Sequence, residues 1–330
     1  MRRVVAVEPG GPEVLVVEEA PLPGVGPHQV RIRNLLAGIN FADINARRAT
    51  YAHRGTRFPF VPGLEAMGVV EAVGEGVDEA LIGRRVAAFP IGGAYAEAVV
   101  APADLVMPIP DRVDDAQAAA FPVVGLTAYH LLVSVARARP GESVVITAAA
   151  GGVGTTAVQV SRLLGLSPII AAAGSARRAR HAISLGATHA VDYSSQDLAV
   201  AVLEATEGRG ADIVLDAVGG EVREAGFRSL GVLGRLVQFG NSSGQPESQP
   251  SPLESRERAI GSCGFHLGRL RGSRPDLIRS GAARLLEWMQ AGELRIEVGE
   301  HVPLTAVREA HRRLESRQVV GKLLLDLRST

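Results

Sequence analysis

The stretch SVVITAAAGGVGTTAVQVSRLLG, residues 143–165, decides the fold. An apolar β-type run enters a glycine-rich turn and leaves as a helix with apolar spacing. Glycines let the turn backbone approach a phosphate closely. A helix starting there points its unpaired N–H groups and the positive end of its dipole at the charge. Gly151, Gly152, Val153 and Gly154 carry this reading. The spacing Ala148-x-x-Gly151-x-x-Gly154 departs from G-x-G-x-x-G, so the pattern gains its weight from the elements around it.

Working outward, SVVITA, PIIAAAG, HAVDY, ADIVLDAVG, GRLVQFG and IGSCGF are short apolar runs, mostly separated by helical stretches such as TTAVQVSRLLG and SARRARHAISLG. Alternating β and α units predict a parallel, doubly wound sheet. Upstream, from Arg2 to about Pro110, the runs RRVVAV, EVLVVEEA, QVRIRNLLA, GVVEAVGEGV, RRVAAF and AYAEAVVA are broken by Gly and Pro. They predict a mostly antiparallel barrel or sandwich. An Ala/Leu-rich helix in DDAQAAAFPVVGLTAYHLLVSVARARP would carry the chain out of this β region, and the elements after residue 267 return to it. The polar NSSGQPESQPSP, residues 241–252, is a surface loop, either simply solvated or a flap beside a site.

Composition narrows the partners. At 330 residues the length suggests two domains, and 46% hydrophobic residues provide ample core. Thirty-five basic and thirty-five acidic residues cancel, leaving no excess charge for a phosphate backbone or an anionic lipid surface. Nucleic acid and membrane are therefore not expected as partners. The single cysteine, Cys263, excludes an internal disulfide framework and a Cys-rich zinc lobe, which fits a reducing, cytoplasmic compartment. The first residues, MRRVVAVEPGGPEVL, contain no apolar stretch of signal-peptide length, and no run approaches about 18 uninterrupted apolar residues.

A dinucleotide fold selective for NAD normally places an acid at the end of its second strand to bind the ribose 2′-hydroxyl. Here that strand ends Ala171-Ala172-Ala173-Gly174-Ser175, and Arg177, Arg178 and Arg180 follow at once. Guanidinium groups pair with a 2′-phosphate, so NADPH is favoured over NADH; a merely solvated basic helix start is the alternative.

GINFADINARRATY, FVPGLEAMGVVEAVGEGV, AAAFPVVGLTAYHLL, the AAAGGVG turn, ADIVLDAVGG, LVQFGNSSG and VVGKLLLDL together resemble the zinc-free quinone oxidoreductase branch of the medium-chain dehydrogenase/reductase superfamily, over essentially the whole chain. The resemblance implies a GroES-like β domain from residues 1–123 and 267–330, and a Rossmann NADPH-binding domain from residues 124–266. It also implies a homodimer. On the cofactor side, Thr127 resembles a contact to the nicotinamide-side phosphate. Gly174, Ser175, Arg178 and Tyr193 match the adenosine 2′-phosphate cluster. Val218, Gly219, Phe239, Gly240, Asn241, Gly321 and Lys322 match contacts at the nicotinamide end. Asp216 reads equally as a strand-end residue capping its loop.

On the catalytic side, the resemblance assigns Asn40 to orienting a carbonyl or ring and Tyr51 to hydrogen-bonding the acceptor or donating a proton, unless Tyr51 merely packs its loop. Asn45 stands where relatives carry a tyrosine, and an amide is much too weak an acid to replace it, so solvent is a candidate proton source. Asn45, Leu64 and Phe265 are expected to line the substrate space, with core packing as the alternative for Phe265. Zinc-dependent relatives place a histidine before the glutamate of Pro-Gly-His-Glu, whereas this chain has Pro62-Gly63-Leu64-Glu65. Leucine cannot ligate zinc, the eight histidines are scattered, and Cys263 sits in an apolar run as an inert thiol, so no metal site is expected.

What remains is hydride chemistry, in which the cofactor supplies reactivity and the protein supplies geometry. The leading expectation is a zinc-independent NADPH-dependent reductase of a quinone or activated α,β-unsaturated carbonyl. An enoyl-thioester or polyketide-type enone reductase, and an NADPH-binding scaffold with little turnover, are the alternatives.

Overall fold

The computed structural model describes residues 1–50, 55–316 and 319–328. In chain order, the first part holds strands β1 (Arg2–Ala6), β2 (Leu15–Glu19) and β3 (Gln29–Ile39), helix α1 (Phe41–Arg47), strands β4 (Ala66–Val73), β5 (Arg85–Ala88), β6 (Ala98–Pro102) and β7 (Val106–Pro108), and helix α2 (Asp115–His130). Then come β8 (Val144–Ile146), α3 (Gly152–Leu163), β9 (Ile169–Ala173), α4 (Ala176–His181), β10 (His189–Asp192), α5 (Leu198–Ala205), β11 (Ala211–Asp216), α6 (Gly220–Arg228) and β12 (Leu230–Gln238). The chain ends with α7 (Pro252–Glu257), β13 (Gly261–Gly264), α8 (Leu267–Ser273), α9 (Pro275–Gln290), β14 (Val298–Pro303), α10 (Val307–Glu315) and β15 (Lys322–Asp326). It divides into two units, Met1–Val124 with Leu270–Thr330, and Gly125–Arg269.

In the second unit the six strands run parallel in the order β10-β9-β8-β11-β12-β13, which is the Rossmann order. Helices cover such a sheet on both faces, so its central strands are buried throughout: Val144, Val145 and Ile146 in β8, and all five residues of β9. Val145, Ile170, Ala172, Val214 and Leu236 form one core cluster with residues of the crossover helices. Because β8 begins the winding in both directions, the strand ends beside the Gly151 turn form the crevice where this fold holds a ligand.

In the first unit β14-β15-β3-β4-β5-β7 form one sheet with β6 paired to β3, and β1 and β2 pair separately. All these pairings are antiparallel except β14 with β15. The unit is thus a mostly antiparallel, GroES-like β domain. Its last strand is added from the far end of the chain, Leu323 opposite Ile39 and Leu325 opposite Ala37.

Helix α1 was not anticipated from the sequence. It begins where the Asp43 carboxylate accepts the Asn40 N–H at 2.8 Å, satisfying a backbone donor at the helix start. Helix α2 continues as a π-helical turn over Leu131–Ala136. Together Asp115–Ala136 is the one helix among the described residues long and apolar enough to cross a bilayer, yet 72% of its most apolar window is buried inside the protein, as in a core helix.

Candidate active site

The turn after β8 is built by steric exclusion. Ala148 takes a left-handed conformation, φ 49°, and its carbonyl accepts the Gly151 N–H at 2.9 Å. A Cβ on Gly154 would lie 2.4 Å from that carbonyl oxygen and 2.6 Å from Ala149 Cα, so only glycine lets the first turn of α3 seat against the strand. Gly151 at the N-cap offers no side-chain acceptor, so α3 presents its first N–H groups uncapped. That is the chemistry a pyrophosphate requires, and Gly151, Gly152, Val153 and Gly154 are the residues that would hold it.

At the end of β9, Gly174 lies against Tyr193, whose ring a Cβ there would meet at 3.4 Å. Ser175 begins α4 without capping it through its side chain. Arg177 and Arg180 are exposed and Arg178 is half-buried. Among the described residues none of the three forms an ion pair, so their charge is free for an anion. These residues fit the 2′-phosphate end of NADPH.

The other end of the crevice is organised by Asp216, which is fully buried at the end of β11. Its carboxylate accepts Thr147 Oγ1 at 2.9 Å, Val218 N at 3.0 Å, Gly219 N at 3.1 Å and Arg223 Nε at 2.7 Å. Its carbonyl accepts the Phe239 N–H at 2.9 Å. Asp216 therefore caps its loop, and it brings Val218, Gly219, Phe239, Gly240 and Asn241 together at neighbouring strand ends. Thr127 lies nearly buried in α2. The half-buried ring of Phe265, just past β13, is tilted against His130 with centroids 6.4 Å apart.

The first unit carries a second, unusually polar arrangement. Glu65 is fully buried, and both its oxygens are occupied. Oε1 accepts Lys322 Nζ at 2.5 Å and Asn40 Nδ2 at 2.9 Å, and Oε2 accepts Val123 N at 2.7 Å. A Cβ on Gly38 would stand 2.0 Å from Glu65 Oε1, so that glycine is what admits the carboxylate. Lys322, the only lysine of the chain, is 3% exposed and donates also to Asn40 Oδ1 at 2.6 Å and Ile39 O at 2.9 Å, which commits its three N–H groups within this unit. Removing one partner of such a buried pair typically costs about 3–5 kcal/mol. The pair also fixes the Asn40 amide: Oδ1 faces the ammonium, one N–H faces Glu65, and the other has only a 3.4 Å contact to Gly38 O. Gly321 precedes this lysine at φ 74°, where a Cβ would meet Glu297 O at 2.2 Å.

From Asn40 a further buried chain runs through Asp43, Tyr95, His311 and Arg47 to Glu315. Arg47 Nη1 can only donate, so His311 Nδ1, at 3.2 Å, must accept. The ring proton then sits on Nε2, facing Tyr95 Oη at 3.3 Å, and the phenol donates to Asp43 Oδ2 at 3.1 Å. Arg47 closes the chain in an ion pair with Glu315. Burial pushes the Asp43 carboxyl up to about 6, against the opposing pull of the Asn40 N–H and Lys322. Burial, with the Arg47 charge beside it, pushes His311 down to about 3, so the ring stays neutral. The Tyr95 phenol is held well above its ordinary value by burial and by Asp43. Sequence reasoning had missed this chain, because its members come from stretches far apart.

Of the remaining sequence candidates, Asn45 is half-buried in α1 and its carbonyl accepts the Thr50 N–H at 3.1 Å. Leu64 is half-buried beside Glu65. Tyr51 lies outside the described residues. Cys263 is half-buried on β13, and burial raises its thiol pKa, the direction of an unreactive thiol. Among the described residues no group of three or more His, Cys, Asp or Glu side chains is placed to hold a metal ion.

Comparison with known proteins agrees with this geometry. A family described as "Alcohol dehydrogenase GroES-like domain" matches residues 26–111, and one described as "Zinc-binding dehydrogenase" matches residues 185–325. The zinc named in that second description does not fit this chain, because the position before Glu65 is Leu64 and Glu65 is committed to Lys322. "Quinone oxidoreductase" of Pseudomonas aeruginosa is 35% identical over 318 residues, covering 96% of each chain. "2-haloacrylate reductase" of a Burkholderia species is 33% identical over 335 residues, again covering 96% of each. The crystal structure of Escherichia coli quinone oxidoreductase complexed with NADPH superposes with a TM-score of 0.92 at 31% identity, over 99% of this chain and 100% of that one. With its Rossmann and GroES-like units and these full-length likenesses, the chain belongs to the quinone oxidoreductase branch of the medium-chain dehydrogenase/reductase superfamily.

Proposed function

We propose that this protein is a zinc-independent, NADPH-dependent oxidoreductase that reduces a quinone or an activated α,β-unsaturated carbonyl compound. The observation that carries the coenzyme assignment is the end of β9. No acid follows in Ser175–Arg180, Arg177 and Arg180 are exposed, and the guanidinium of Arg178 lacks an ion-pair partner among the described residues. A 2′-phosphate there meets guanidinium groups that form no ion pair among the described residues. NADPH, when bound, supplies the hydride. The protein's part is to hold the pyrophosphate on the N-terminus of α3.

Asn40 offers the acceptor oxygen its remaining amide N–H, in an orientation set by Lys322 and Glu65, and Tyr51 provides a phenol. Asn45 cannot protonate the product at this position, so solvent delivers the proton that completes the two-electron reduction. Independence from zinc rests on Leu64 and on the Glu65–Lys322 pair. The likeness to 2-haloacrylate reductase favours conjugated acid derivatives as a second acceptor class, and an enoyl thioester reduced faster than any quinone would select it. The same reading includes a homodimer in the cytoplasm.

The coenzyme assignment is tested by titrating the protein with NADPH and NADH. NADPH should bind at least about tenfold more tightly, and Arg178→Ala should remove most of that preference while leaving NADH affinity unchanged. Equal affinities in the wild type would contradict it.

A further inference from the structure

Segment 241–247 follows β12, and in the sequence it reads as a polar surface loop, either solvated or a flap beside a site. In the structure it is fastened to three strand ends through one buried guanidinium. Arg223, on α6, is 1% exposed. Its Nε donates to Asp216 at the end of β11 at 2.7 Å, its Nη2 donates to Gly240 O beyond β12 at 2.7 Å, and its Nη1 pairs with the Glu247 carboxylate. Asp216 in turn holds Thr147 beyond β8. Glu247 is the solvent-exposed end of this series, with 56% of its side chain accessible.

The other Glu247 oxygen accepts Asn241 Nδ2 at 3.1 Å. That amide also donates to Gln245 O at 2.8 Å, and Asn241 Oδ1 accepts Ser243 Oγ at 2.9 Å. The segment is seated on the loop after β11, with Ser242 N on Ala217 O at 3.0 Å and Ser243 N on Val218 O at 2.9 Å. Two glycines at positive φ make the seat: a Cβ on Gly219 would stand 2.4 Å from Asn241 Oδ1, and one on Gly220 2.1 Å from Gln245 Oε1.

We propose that Glu247, acting through Arg223 and Asn241, is a positioning residue for the nicotinamide half of the cofactor. This deepens the NADPH reading above and rests on it. By bridging a buried cation and the Asn241 amide, the carboxylate fixes the amide and the 218–220 and 239–241 backbones in one arrangement before any ligand arrives. Preorganisation of that kind lowers the ordering cost of binding only for a ligand that reaches the strand ends it arranges. The adenosine end, at Gly174 and Arg178, belongs to a different loop and is not connected to this series by any of these bonds.

The test uses the full-length wild type, Glu247→Gln, which removes the charge, and Glu247→Ala, which removes the side chain. Each is titrated with NADPH and with adenosine 2′,5′-bisphosphate, which carries the 2′-phosphate but no nicotinamide. Glu247 is exposed, so both variants should fold, and unchanged melting temperatures would document that. We expect NADPH affinity to fall about three- to tenfold in Glu247→Gln and at least as far in Glu247→Ala, with a reduced fluorescence enhancement of the bound nicotinamide. Affinity for the bisphosphate should stay constant. Unchanged NADPH affinity in both variants, or an equal loss for both ligands, overturns the positioning role. A wild type that binds neither ligand overturns the cofactor reading itself and this inference with it.

Discussion

At the scale of single residues, the protein keeps charges and polar groups where water does not reach. Arg47 and Glu65 are fully buried, and each is tolerated because its donors or acceptors are matched by the protein. His311 shows the consequence for stability. Its folded-state pKa is about 3, against an ordinary 6.5. The unfolded chain therefore takes up a proton below about pH 6.5 that the folded chain refuses, and stability is lost as pH falls from there toward 3. Asp43 acts with the opposite sign: raised to about 6 from 3.8, it binds its proton sooner in the folded state and adds stability as pH falls through that window. A His311→Gln variant keeps Asp43 and loses only the histidine effect. Its stability deficit relative to the wild type should shrink by about 2 kcal/mol between about pH 7 and about pH 5. Urea denaturation at both pH values measures this, and a deficit that does not change would show that His311 titrates normally.

Single elements differ in how legible they were. The six strands of the parallel sheet were visible as apolar runs, most plainly β8 and β9, which are buried throughout, and the Gly151 turn was visible because its glycines are contiguous, Gly154 being the one that sterics require. Helix α1 was not, since FADINAR carries no clear apolar face, although Asn40 and Asp43 stand at the N-cap and N3 spacing of a capping box. The parallel pairing of β14 with β15 escaped as well, being set by which remote strand accepts the chain end. The candidate site divided in the same way. Residues in contiguous motifs, such as Gly151, Gly174 and Asn40, could be named from sequence. Glu65, through Lys322 and Val123, and Arg47, through His311 and Glu315, gain their roles from partners far along the chain. Lys322, alone of its kind, was flagged by resemblance, but its bond to Glu65 had no signal. Strand β13 supports a prediction at this scale. Among the described residues it ends the sheet with one neighbour, and Val232 and Leu233 on β12 are 76% and 78% exposed. An open edge beside exposed apolar side chains is suited to pairing with a second copy. Light scattering should find a dimer, and Leu233→Glu should shift it toward monomer; a monomeric wild type at working concentration would remove the dimer from the account.

At the scale of the whole molecule, one chain carries a Rossmann unit and a β unit, and in the β unit the buried lysine–glutamate pair adjoins Leu64, where the resemblance implies a zinc-ligating histidine in metal-dependent relatives. The chemistry proposed is hydride transfer from NADPH without a metal. The most direct measurement is the rate of NADPH oxidation by chelator-treated, metal-analysed protein offered a simple quinone and an enone, before and after zinc is added. The metal-free protein should turn over at least one acceptor, with no gain from zinc. Protein that binds NADPH yet oxidises it only once zinc is restored would contradict it.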